Sequence, residues 1–149
     1  MGAQPYGFPR KKCDADAGLS ISIIMRGRLV VGGGRSVHFP ILGKADISLN
    51  IDPVANPDVL GDLASAPFKS ASFDEVYFER VPFPSFTGPN IDALSESARL
   101  LHWGGQLVLE TGIAAPVDEI VARLRAVGFI GIDVARLSLF RFTAVLGGP

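Results

Sequence analysis

From residue 18 onward, short apolar runs rich in β-branched residues alternate with stretches of helical spacing. That alternation predicts strands joined by crossover helices, and therefore a mostly parallel sheet. The run "LSISIIMRGRLVVGGG" predicts a lead-in strand over residues 19–25 and a first core strand from Arg28 to Val31, ended by Gly32, Gly33 and Gly34. In "ADISLNID", Ile47, Leu49 and Ile51 alternate with polar residues, which predicts a second strand over 45–52. A short third strand is expected from Val59 to Leu63, a fourth over 73–81 in "FDEVYFERV", and a fifth in "GGQLVLETG".

The helices show in the other periodicity. Ile91, Leu94, Ala98 and Leu101 share one face of a helix expected over 91–102, with Asn90 as its N-cap and His102 near its C-terminal end, where the helix dipole favours a cation. In "PVDEIVARLRAVGF" the stripe is Val117, Ile120, Val121, Leu124 and Val127, with Pro116, Asp118 and Glu119 in the first turn and Gly128 as the stop. Two closing runs, "FIGIDVARL" and "LFRFTAVL", alternate like an antiparallel hairpin. Residues 1–17 carry no periodicity and read as a flexible arm, so residues 18–149 form the single expected domain.

Composition narrows the chemistry. With 48% hydrophobic residues, 149 residues suffice for one core without disulfides or metals. The net charge is -1 and only Arg10, Lys11 and Lys12 form a basic run, so no nucleic-acid partner is expected. Cys13, His38 and His102 are too few for a zinc cluster, and no metal is expected. No apolar run reaches the roughly 20 residues of a membrane-spanning helix, so the chain reads as a cytoplasmic protein with no membrane partner.

The candidate site begins at the glycine cluster, where a backbone without Cβ atoms lets a ligand approach free N–H groups. Asp52 ends the next expected strand, the place from which an acid accepts the hydroxyls of a ribose. Asp62 ends the third, where its carboxylate can meet an adenine amino group beside the Leu63 N–H, or simply cap a turn. All three features converge on the carboxyl edge of a parallel sheet.

The stretches "LNIDP", "PDVLGDLASAPFKSASFDEVYFERV" and "ALSESARLLHWGGQLVLETG" resemble the core of class I S-adenosylmethionine-dependent methyltransferases, and the likeness spans roughly residues 28–146. It implies a Rossmann-like α/β fold, a mostly parallel sheet with helices on both faces and an antiparallel C-terminal strand. It also implies S-adenosylmethionine as cofactor, with Gly32, Gly33 and Gly34 along its methionine part. Asp52, with Pro53 beside it, would hold the ribose, and Asp62 and Leu63 the adenine. Glu79, at the end of strand four, and His38, after the glycine turn, are the candidates for a base or acceptor-orienting group. Phe83 and Phe86 flank prolines in a loop expected over the site.

The acid usually found before the first glycine in this family is replaced by Val30. The expected function is thus methyl transfer to an unidentified acceptor, with a degenerate binding or interaction module as the alternative. A second copy of the chain or a partner protein completing the pocket stays open.

Overall fold

A computed structural model describes residues 27–32, 46–90 and 92–148. The lead-in strand, Cys13, Gly33, Gly34 and His38 lie outside them. Seven strands form one sheet: β1 (Gly27–Val31), β2 (Ile47–Asn50), β3 (Val59–Leu60), β4 (Phe73–Phe78), β5 (Leu101–Thr111), β6 (Phe129–Arg136) and β7 (Phe140–Leu146). Their spatial order is β3-β2-β1-β4-β5-β7-β6. The first five pair in parallel and the β6–β7 hairpin adds antiparallel through β7, as the alternation predicts.

Register produces two unlike faces. Leu49, Val31, Phe78, Leu109 and Phe142 stand opposite one another across five strands, and all belong to the buried apolar core. Helices α1 (Asp92–Leu100) and α2 (Val117–Ala126) bury Ala93, Leu94 and Leu100, and Ile120 and Leu124, in that same core, so both lie on this face. The intervening row is Ser48, Val30, Tyr77, Val108 and Thr143, and the face it belongs to also carries Arg28, Glu75, Glu79, Glu110 and Arg141. A parallel sheet is ordinarily apolar on both faces, so this polar second face is a departure that needs buried charge pairing.

Several boundaries fall short of the periodicity. Leu63 leaves the third strand because Asp62 caps a 3-10 helix over Leu63–Ser65, and β2 stops before Asp52, which caps another over Pro53–Ala55. No crossover helix links β2 to β3. A parallel pair usually needs a dozen or more connecting residues, yet residues 51–58 suffice here. The turn is pinned by reciprocal bonds: Ser48 N–H and Oγ donate to Asp58 Oδ2 at 2.9 and 3.2 Å, and Asp58 N–H donates to Ser48 Oγ at 2.8 Å. Helix α1 ends at Leu100 and β5 begins at Leu101. His102 is therefore a strand residue, not a helix C-terminal one. Its Nε2 lies 2.6 Å from Asp74 Oδ1 and its Nδ1 2.7 Å from Trp103 O, at the edge of the sheet away from the carboxyl ends. Between the Phe73–Leu101 and Glu75–Gln106 pairs the register shifts, and a Cβ at Gly105 would stand 2.9 Å from Leu101 Cδ2 and 3.0 Å from Asp74 O, so a side chain there would force its neighbours to give.

Candidate functional site

β1 sits where the strand order reverses, with β2 and β3 on one side and β4 on the other. Such a switch point opens a crevice beyond the carboxyl ends of the strands. Here a cleft of about 430 Å³ occupies it, within the range of small-molecule sites. Gly32 and Asn50 lie at its strand ends, Asp62 and Leu63 form one wall, and Val81 and Asp92 contribute to the other.

Gly32 is required twice over. Its φ is +82°, a region that side chains avoid, and a Cβ there would stand 2.6 Å from Val81 Cγ2 and 3.6 Å from Glu79 O. The turn is held by Gly32 N–H donating to Leu49 O at 3.0 Å. Asp52 is exposed and lies off the cleft wall. Its Oδ1 accepts from Val54 N–H at 2.9 Å while its own N–H donates to Asn50 Oδ1 at 2.9 Å. Pro53 opens the 3-10 turn that Asp52 caps. Asp62 is on the wall, and its Oδ1 accepts from Ala64 N–H at 3.0 Å. The structure thus brings Gly32, Asp62 and Leu63 together and sets Asp52 and Pro53 just beyond them. Within the described residues, Oδ2 of each acid makes no further hydrogen bond.

Glu79 is 2% exposed and does not line the cleft. β4 ends at Phe78, three residues short of the strand expected over 73–81, and continuing its alternation by one residue puts Glu79 on the polar face, in line with Tyr77 and toward Glu110 of β5. Burial pushes the Tyr77 phenol up to about 12, helped by its hydrogen bond to Glu110 and by the charges of Glu110 and Glu79, with Arg141 opposing. Arg141 binds Glu110 Oε2 through Nη2 at 2.7 Å and Nε at 3.1 Å. Further along the face Arg28 pairs with Asp46 at 2.9 Å, which raises the guanidinium's pKa. Burial raises the Glu75 carboxyl, and Arg28 works against that rise.

Two features escape periodicity. Asn90 lines the cleft, and its Nδ2 donates to Pro84 O at 2.9 Å, so its side chain braces the proline-rich loop. That loop is also gripped from α2: Gly88 N–H donates to Glu119 Oε2 at 2.9 Å, while Arg123 donates to Gly88 O and Asn90 O. Phe86 beneath it is fully buried and meets Phe78 edge-on at 5.8 Å. The four-residue spacing of Glu119 and Arg123 was the available signal, but spacing reveals a helix face and not the loop it holds.

No protein-family model matches the sequence, and no curated protein does. Solved structures do. The chain superposes on the CurJ carbon methyltransferase with a TM-score of 0.64 at 16% identity, over 83% of this chain and 49% of that one. It therefore spans about half the length of that protein. A Methanococcus maripaludis protein assigned to the S-adenosyl-L-methionine-dependent methyltransferases aligns over 100% of this chain and 97% of its own, with a TM-score of 0.66 at 13% identity. A Thermus thermophilus 16S rRNA methyltransferase, solved with S-adenosylmethionine and guanosine, gives 0.61 at 16% identity over 87% of this chain and 39% of that one. At such identities the likeness speaks for architecture. Together with the strand order and the switch-point cleft, it shows that this chain has the fold of the class I S-adenosylmethionine-dependent methyltransferases.

Proposed function

We propose that the chain binds S-adenosylmethionine in the switch-point cleft and transfers its methyl group to an acceptor. The observation that carries this reading is the convergence of Gly32, held at a φ only glycine adopts easily, with the wall residues Asp62 and Leu63 in one cleft of suitable size. The residues fit the group: Gly32, continued by Gly33 and Gly34, offers backbone without side chains, and the carboxylates offer acceptors for hydroxyl and amino groups. When bound, S-adenosylmethionine supplies a methyl group on a positively charged sulfur, open to in-line displacement.

The chain's own work is then positioning. Asp52 and Pro53 hold the ribose end, and Asp62 Oδ2 with the Leu63 N–H holds the adenine end. Glu79, buried behind the β4 exit and off the cleft wall, orients the acceptor or takes its proton only where that exit opens to it, and His38 is the second candidate for that role. The site operates in the cytoplasm, on a small molecule, a protein or a nucleotide group. A second copy or a partner protein completes the pocket, and sedimentation of the purified chain at increasing concentration tests for the former.

Calorimetric titration with S-adenosylmethionine and S-adenosylhomocysteine is the direct test of the reading. Saturable binding that Asp52→Ala weakens by about 1.5–3 kcal/mol, the worth of a hydrogen bond to a charged group, is expected. No heat with either compound would sink it. A second reading, a binding module without catalysis, is favoured by the capping bonds that engage Asp52 and Asp62 and by Val30 in place of an acid. Binding without transfer across broad acceptor screens would select it.

A further inference from the structure

Arg80 belongs to neither the core nor the proposed cofactor site. Its φ is +56°, in the left-handed region that L-residues other than asparagine and aspartate seldom occupy. The cause lies on both sides of it. Glu79 N–H donates to Val31 O on β1 at 2.9 Å, whereas Val81 N–H donates to Glu110 O on β5 at 3.1 Å. The chain must therefore swing from one neighbouring strand to the other within a single residue, and Thr111 Oγ1 locks the exit by donating to Val81 O at 2.8 Å. Glycine would make this turn without strain, yet an arginine stands here, and strain retained at a site edge points to use.

Its surroundings say what that use is. Arg80 is exposed and, without lining the cleft itself, falls in sequence between two residues of its wall, Phe78 and Val81. Among the described residues, Arg28, Arg99, Arg123 and Arg141 are held in ion pairs and Arg136 lies over the Phe140 ring, whereas the side chains of Lys69, Arg80 and Arg125 make neither a hydrogen bond nor an ion pair, and of these three only Arg80 neighbours a cleft-wall residue in sequence. No described lysine or arginine lines the cleft itself, whose wall carries Asp62 and Asp92. Among the described residues the cleft wall is thus acidic toward β3 and α1, and Arg80, next in sequence to the wall residue Val81, is the unpaired cation beside its β4 side. A planar guanidinium in that position matches a two-oxygen anion.

We propose that Arg80 binds an oxyanion, a carboxylate or phosphate, carried by the methyl acceptor, and that its repulsion by Asp62 and Asp92 orients the acceptor with that end toward β4. The acceptor role rests on the methyltransferase reading above, whereas the anion site does not.

The test follows the arginine Nε–H resonances of the 15N-labelled full chain, saturated with S-adenosylhomocysteine, during titration with sodium phosphate and separately with sodium acetate at constant ionic strength. Arg125, exposed in the last turn of α2, is the internal control. A saturable shift at Arg80 with little movement at Arg125 is expected, and the arm with the tighter response names the anion. In Arg80→Gly the affinity should fall about tenfold or more, as loss of a charge-assisted hydrogen bond implies, while the melting temperature holds or rises because the strain is gone. Arg80→Lys, which keeps the charge without the fork, should fall between.

Equal or linear responses at Arg80 and Arg125 would overturn the proposal. So would a lower melting temperature in Arg80→Gly, since the arginine would then be structural. Calorimetry with S-adenosylhomocysteine reports separately on the methyltransferase reading. If that compound does not bind, the same titration of the chain alone decides whether the anion site stands.

Discussion

At the scale of single residues, backbone geometry constrains more than side-chain chemistry does. Gly32→Val places a β-branched side chain at a positive φ and drives its Cβ into Val81. Strain and overpacking together should cost about 2–4 kcal/mol, read from urea unfolding without any ligand. Unchanged stability would mean that the β1 turn relaxes and that the close approach to β4 is unimportant. Tyr77 supplies a pH test. Its pKa lies near 12 in the folded chain against an ordinary 10, so the folded state holds the phenol proton longer than the unfolded state. The associated stability is complete below pH 10 and is lost as the pH climbs through about 12. Ultraviolet titration should show a late tyrosine step near pH 12 that is absent in Tyr77→Phe. A Tyr77 step near the ordinary 10, read from the difference between the parent and Tyr77→Phe, would refute burial and the Glu110 bond as the cause.

At the scale of elements, short polar staples replace the crossover helix that a parallel β2–β3 pair normally uses. Asp58→Ala removes the acceptor for the N–H of Ser48, a residue only 7% exposed. An unsatisfied buried donor costs about 1–3 kcal/mol, and Asp58→Asn, which keeps a carbonyl oxygen, should cost less. Hydrogen exchange should place the loss at β2 and β3. Uniform loss across the sheet would show that the staple is not local. The existence of every described strand was legible in the sequence, because alternation and apolar runs follow from which face is buried. Their ends were not. Asp52 and Asp62 close β2 and β3 by capping 3-10 turns, so local polar bonds won over periodicity there, and β5 takes over directly where α1 ends at Leu100.

At the scale of the molecule, no helix among the described residues is long and apolar enough to cross a membrane. The fold presents one apolar face, which α1 and α2 cover, and one polar face crossed by Arg28, Glu75, Tyr77, Glu110 and Arg141. A ligand that binds the folded state alone stabilises it by about 2.7 kcal/mol at a hundredfold excess over Kd. For a chain of this size, S-adenosylhomocysteine at that excess should raise the melting temperature by roughly 5–11 °C. A flat melting temperature beside calorimetric binding would show that the compound also binds unfolded chain.

Hydrophobic periodicity by itself determined the fold class, the order of strand and helix types along the chain, and the placement of a glycine turn and two acids at strand ends. Each of these depends on residues near one another in sequence. Only the tertiary structure decided that Gly32, Asp62 and Leu63 share one cleft, that Asp52 sits just outside its wall, and that Glu79 turns to the buried polar face. It also decided that His102 answers to Asp74 and not to a helix end, and that Arg80 alone carries the strain of the β4 exit. These outcomes depend on register between strands far apart in sequence, where a shift of one residue exchanges the two faces of the sheet.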